Sequence, residues 1–175
     1  METLSFYLLP GHIATLFICF KFALVLTFES PVVGIGGTSG SDVEISKSMD
    51  FNKGRTIMIN PKTDKLDSNL IVFTKNGGSY RFYLKFDKAR AFDFVNVYEG
   101  KLNKSYSLKK ETNQYKIYEG ETSIKIENSG PSLLYVNNIA IKKYKYLSKG
   151  IPLFIENNTK NNHAREEMMI IENAK

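Results

Sequence analysis

Apolar and polar residues alternate along most of this chain with a period of two. From Ile13 to Phe28 the sequence reads IATLFICFKFALVLTF, and Leu16, Ile18, Phe20, Phe22, Leu24, Leu26 and Phe28 share one parity. Successive side chains of a strand point to opposite faces, so this predicts a half-buried strand, or two strands with a bend between them. A signal-peptide core is the competing reading. The run is shorter than the roughly 20 residues of a spanning helix, carries Lys21 at its middle, and is preceded by no Lys or Arg.

The clearest element is DSNLIVFTKNGGSYRFYLKF, Asp67 to Phe86. Leu70 and Val72 alternate on one run, and Tyr80, Phe82, Leu84 and Phe86 on the next. The tetrapeptide Lys75-Asn76-Gly77-Gly78 joins them. Asn-Gly between alternating runs predicts a hairpin, with the positive φ that a tight reversal needs. Parity places those six residues in a core and turns Arg81, Tyr83 and Lys85 outward, because a one-residue slip would reverse every side chain.

The same grammar continues on either side. Short alternating runs precede the hairpin at PVVGIGG, DVEIS and RTIMIN. Others follow it at 92–98, 106–109, 114–118, 122–127, 133–136, 139–146 and 152–155, with breaks at Gly100, Gly120, Gly130-Pro131 and Gly150-Ile151-Pro152. Spacings of about 8–12 residues are those of a β-sandwich. The expected fold is therefore all-β and sandwich-like, with antiparallel strands, either as one body or as two small packed β subdomains. The expected division is a β domain over 1–90, a second β domain or sandwich half over 91–156, and a polar linker and tail over 157–175. The last residues, Ala164 to Lys175, have helical propensity and an apolar cluster at Met168 to Ile171, which suggests a short docking helix or a tail.

Composition changes this picture little. The chain has 175 residues, of which 42% are hydrophobic and 13% aromatic, enough to build a core. One cysteine, Cys19, excludes an internal disulfide framework. Charge is more informative. The net +6 resides between Lys85 and Lys149, where 13 Lys and Arg face 7 Asp and Glu; the remainder is balanced. A basic surface attracts nucleic acid, anionic lipid or acidic protein. Here the lysines are interleaved with acids, as on a solvated sheet surface.

Candidate chemistry is sparse. His12 and His163 lie at opposite ends, and with a single Cys no transition-metal ligand spacing exists. GIGGTSGS, Gly34 to Ser41, lacks the Gly-Lys-Ser/Thr of a phosphate loop and runs into a strand rather than a helix. No Gly-x-Ser-x-Gly elbow is present. Glu119 and Glu121 share a strand face but flank a turn, which suits solvated carboxylates better than acid–base work. The reading is non-enzymatic, with no cofactor and no small-molecule substrate. KKYKYLSK interleaves Lys143 and Lys145 with Tyr144 and Tyr146, as a nucleic-acid reader would. An amphipathic edge strand explains it equally well, so nucleic-acid contact is not favoured. YLSKGIPLF places Leu147, Ile151, Leu153 and Phe154 around a Gly-x-Pro break that interrupts a ladder. With Lys143 to Tyr146 these form the expected partner-binding segment; core closure is the other reading.

The stretch from Phe28 to Phe86 resembles the N-terminal domain of the TrbG/CagX-like family of conjugal-transfer and type IV secretion proteins. The resemblance rests on the Pro-Val step of PVVGI, on Ile59-Asn60-Pro61, on Asn69-Leu70-Ile71-Val72-Phe73-Thr74, and on Tyr80, Phe82 and Leu84. It covers about a third of the chain. It implies a structural subunit of the outer-membrane core complex, in the periplasm or at the outer membrane of a Gram-negative bacterium, contacting other channel subunits and copies of itself in a ring. Family members carry an export signal and are longer, which this sequence does not clearly match. Two alternatives remain. One is an N-terminal-type domain of a secretin or pilus assembly protein. The other is a free-standing β-sandwich adhesin or carbohydrate-binding module, stacking ligands on Tyr98, Tyr115, Tyr144 or Tyr146.

Overall fold

The computed structural model describes residues 3–47, 51–158 and 164–172. It divides into two compact units, Met1–Glu99 and Gly100–Lys175, and the described residues form seventeen strands with one 3-10 turn at Phe51–Gly54. The division follows β9 (Phe94–Glu99), which pairs inside the first unit. The break therefore lies beyond the expected residue 90.

The first unit is a sandwich of two sheets. One has the order β1-β9-β3-β6-β5, from β1 (Leu4–Leu8), β3 (Leu24–Phe28), β5 (Val43–Lys47), β6 (Thr56–Pro61) and β9. The other has the order β2-β8-β7-β4, from β2 (Ile13–Ile18), β4 (Val32–Gly36), β7 (Asp67–Thr74) and β8 (Ser79–Phe86). Phe6, Leu24, Leu26, Ile57, Ile59 and Val97 of the first sheet and Leu16, Ile18, Leu70, Val72, Phe82 and Leu84 of the second are all buried. The Phe28 and Tyr80 rings meet between the sheets at 5.3 Å. Burying each such side chain contributes roughly 1.5–3 kcal/mol.

The amino-terminal alternation is sheet, split into two strands. The chain leaves β1 through Pro10-Gly11, where Gly11 adopts φ 77°, and enters the other sheet as β2. It then bends at the isolated Cys19–Phe22 bridge and returns to the first sheet as β3. Leu16, Ile18, Leu24, Leu26 and Phe28 are buried as parity requires. Phe20 is not: the bend lifts it to 57% exposure, against the Phe86 ring at 4.7 Å. Pairing is not purely antiparallel. β1 and β3 both run parallel to β9, and β2 runs parallel to β8, because the N-terminal segment crosses between sheets instead of turning back on itself.

The β7–β8 hairpin has the expected register, with Leu70 opposite Phe82 and Val72 opposite Tyr80. Leu70, Val72, Tyr80, Phe82 and Leu84 are buried; Phe86 is half-buried at the strand end; Arg81, Tyr83 and Lys85 are exposed. In the turn only Gly77 takes a positive φ, 87°. Asn76 contributes its side chain instead, its Oδ1 accepting from Thr74 Oγ1 at 2.7 Å and from the Gly78 amide at 3.2 Å.

The second unit is also two-layered. Its sheets are β10-β11-β12-β15 and β14-β13-β16-β17, from β10 (Ser107–Glu111), β11 (Tyr115–Glu119), β12 (Ser123–Asn128), β13 (Leu134–Val136), β14 (Ile139–Ile141), β15 (Tyr144–Ser148), β16 (Leu153–Asn158) and β17 (Ala164–Met169). Both contribute to one core that includes Tyr115, Ile117, Ile126, Val136, Leu147, Leu153 and Ile155. The helical propensity after Ala164 is overridden. β17 pairs antiparallel with β16 from Leu153 opposite Met169 to Asn158 opposite Ala164, and Ile171 closes the core. Backbone pairing over six residues outweighs a propensity worth tenths of a kcal/mol per residue. Within the expected linker, 159–163 and 173–175 lie outside the described residues.

Candidate functional site

The expected partner segment largely closes the core. Leu147 and Leu153 are buried at 5% and 1% exposure, so neither presents a surface to a partner. Ser148 to Pro152 carries the chain from one sheet of the second unit to the other, and the Gly150 amide donates to the Ile171 carbonyl at 3.1 Å. The Gly-x-Pro break is thus the crossover of a sandwich. Ile151 and Phe154 are half-buried, Tyr146 is half-buried, and Lys143, Tyr144 and Lys145 are exposed.

At that crossover Lys149, 2% exposed, turns inward. Its Nζ lies 2.7 Å from Glu119 Oε1 and donates to the Gly120 carbonyl at 2.8 Å. Glu119 Oε2 reaches Lys109 at 3.3 Å. Burial alone would raise the Glu119 carboxyl, but hydrogen bonds and charge from Lys149 and Lys109 outweigh it and hold the pKa below the ordinary carboxylate value. Asn103 completes the same end of the unit. Its Oδ1 accepts from the Thr122 and Ser123 amides, each at 3.1 Å, and the Tyr106 hydroxyl bonds Ser123 Oγ at 2.7 Å. These groups pin the β11–β12 turn, so the arrangement acts as a structural lock.

The outer face of β10-β11-β12-β15 collects Tyr118, Tyr144 and Tyr146 around Lys125. Lys125 lies opposite Tyr118 on one side and Tyr146 on the other. Its Nζ sits 4.8 Å from the Tyr144 ring centre, 5.5 Å from that of Tyr118 and 3.8 Å from Glu127 Oε1. Lys116 pairs with Glu111 at 3.1 Å, and that hydrogen bond, with the Glu111 charge, raises its pKa. The protein's own lysine thus sits over Tyr144 and Tyr118, the Tyr146 ring meets those of Tyr106 at 5.4 Å and Tyr144 at 5.9 Å, and Lys125 and Lys116 are each met by an acid. Tyr115, also offered as a stacking residue, is fully buried, and Tyr98 stacks on Tyr7 at 5.1 Å.

The first unit differs. Register across β2-β8-β7-β4 places Ile13, Arg81, Ile71 and Gly36 in one row, and Thr15, Tyr83 and Asn69 in the next. Phe73 lies beyond them with its ring over Gly34, 3.4 Å from where a Cβ would stand. A register shift between Val32 and Gly34 leaves Val33 61% exposed beside it. Ile13, Val33, Phe73 and Tyr83 are all exposed. β4 is an edge strand, and the stretch from Ser30 to Ser41 contains no charged side chain. Native edges are usually blunted by Lys or an inward-pointing charge; within Val32–Gly36 this one has only a bulge. The signal was present in the sequence as outward parity at Phe73 and Tyr83, but only pairing shows that these residues share one patch.

A cleft of about 470 Å³ adjoins this face, lined by Leu8 to His12, Asn76 to Arg81, and Glu99. Burial, then the charges of Glu29 and Glu99, raise the Tyr80 hydroxyl's pKa. Among the described residues no group of three His, Cys, Asp or Glu could hold a metal ion, and no helix is long and apolar enough to cross a membrane.

No protein-family model matches the chain, and no curated protein matches it significantly. Among solved structures, it is similar to the Down Syndrome Cell Adhesion Molecule isoform 1.30.30, N-terminal eight Ig domains, at 10% identity and a TM-score of 0.23. That match covers 98% of this chain and 27% of the other.

Proposed function

We propose that this protein is a structural subunit of a bacterial cell-envelope secretion or conjugation channel, acting in the periplasm or at the outer membrane through protein–protein contacts. The observation that carries the contact reading is the outer face of β2-β8-β7-β4, where Ile13, Val33, Phe73 and Tyr83 are exposed beside an uncharged edge strand. Contiguous apolar patches of this kind mark interaction sites. The type of assembly comes from the family-like run Phe28 to Phe86, whose strands build this same unit.

The test is recovery of complexes from detergent-solubilised envelopes of the native cell, with wild type and with Phe73→Asp and Tyr83→Asp variants whose thermal unfolding is unchanged. Co-purification of channel subunits that is lost in both variants supports the proposal. A wild-type protein found cytoplasmic and partner-free ends it.

A further inference from the structure

We infer that the outer face of β2-β8-β7-β4 docks an acidic, apolar segment of another protein, with Arg81 as the charge reader. Arg81 stands between Ile13 and Ile71 in one row of the sheet, with Tyr83 next along its own strand. It is exposed, and among the described residues no carboxylate pairs with it. In the second unit Lys109, Lys116, Lys125 and Lys149 each have an acid, while Lys142, Lys143 and Lys145 are exposed and have none among the described residues. The other charges on the face are Lys85 and Asp67, which lie opposite one another across β7 and β8. Among the described residues no ion pair joins Lys85 and Asp67; what distinguishes Arg81 is that aliphatic side chains, Ile13 and Ile71, stand on both sides of it.

A partner that covers Ile13, Ile71, Phe73 and Tyr83 removes water from around that guanidinium. The cost of desolvating it is recovered only if the partner brings an acceptor, and a carboxylate matches the guanidinium fork in two parallel hydrogen bonds. A second copy of this chain fits less well: a two-fold packing centred on Arg81 would set it against its own equivalent, a like-charge contact. The adjoining cleft, which Arg81 also lines, extends the surface past the sheet end. This inference rests on the protein-contact reading above and specifies the partner's chemistry.

The experiment is selection of a display library of random twelve-residue peptides on the full-length protein, as wild type, Arg81→Glu and Phe73→Ser. Both substituted residues are exposed, so unchanged thermal unfolding is expected and checked. The wild type should enrich peptides with Asp or Glu flanked by apolar residues. Their affinity should fall about tenfold or more on Arg81→Glu and weaken with added salt, and Arg81→Glu should itself select Lys or Arg instead. Phe73→Ser should lose the peptides altogether. No enrichment on wild type, enrichment without acids, or acidic peptides indifferent to both substitutions overturns the inference. Wild-type self-association in sedimentation, abolished by Phe73→Ser, overturns it too by giving the face to a second copy. Absence of envelope complexes alongside successful acidic selection would instead remove the channel assignment and leave this docking chemistry standing.

Discussion

Removing either member of the Lys149–Glu119 pair should destabilise the second unit, but by unequal amounts. Glu119→Ala takes from Lys149, at 2% exposure, the carboxylate 2.7 Å from its Nζ. Breaking a buried pair in this way costs about 3–5 kcal/mol, because the remaining ion is desolvated and has lost that countercharge. Lys149→Met removes the buried cation and keeps the aliphatic stem. Glu119, at 19% side-chain exposure, still has Lys109 at 3.3 Å, so the main loss is the Gly120 carbonyl's donor. An unsatisfied buried acceptor costs about 1–3 kcal/mol. The difference should be read by urea unfolding of the full chain, with hydrogen exchange at the Ile117, Ile126 and Leu147 amides assigning it to the second unit. Against a domain stability of about 5–15 kcal/mol, the Glu119→Ala change alone is a large fraction of the total. A Lys149→Met variant as unstable as Glu119→Ala, or more so, would refute the reasoning that desolvated charge dominates at this crossover.

The same pair fixes an acid response. The Glu119 pKa is depressed in the folded state, so its contribution is complete above the ordinary carboxylate value near 4.3 and is lost as pH falls through the lower folded value; a pH series of unfolding midpoints should show a decline below about pH 4.5 that Glu119→Ala lacks. Gly120→Ala would place a Cβ against Asn103 Oδ1 and 2.8 Å from Tyr106 Cε1, and should cost about 1–3 kcal/mol by overpacking in the same unfolding assay. Phe82→Ala, at 1% exposure in the first core, should cost about 3–5 kcal/mol and shift the first unit's transition alone.

What the sequence made legible was local and periodic. The β7–β8 register followed from strict parity on both sides of Asn76-Gly77, since only one alignment buries Leu70, Val72, Tyr80, Phe82 and Leu84 together. The Leu16 to Phe28 alternation was legible for the same reason, and failed around the bend at Cys19–Phe22, where Phe20 is exposed, Phe22 is half-buried, and Phe17 and Cys19 of the other parity are buried. Three features were not legible because they depend on residues distant in the chain. Parallel pairing of β9 with β1 and β3 joins segments about seventy to ninety residues apart with no local signature. The strand at Ala164–Met169 exists through β16, against its own propensity. Lys149 reads as one more surface lysine until the crossover folds it onto Glu119, thirty residues earlier.

The distribution of charge in the sequence and the location of the candidate site point to different units, and the difference has a physical cause. The net +6 lies between Lys85 and Lys149, largely in the second unit, and suggested an electrostatic surface there. Lys109 and Lys149 share Glu119, Lys116 meets Glu111, and Lys125 meets Glu127 and two tyrosine rings. These four paired charges offer a partner little, since each contact would exchange one neutralised interaction for another, whereas Lys143 and Lys145 are exposed and have no acid among the described residues. The first unit has almost balanced charge, yet it places one unpaired guanidinium among Ile13, Ile71 and Tyr83. A partner gains there twice, by covering apolar surface and by supplying a missing carboxylate. Specific recognition by this protein is therefore expected to follow Arg81 and its apolar neighbours, and to be insensitive to neutralising exposed lysines such as Lys143 and Lys145. Binding that falls when those lysines are changed, while Arg81→Glu leaves it intact, would return the site to the basic half.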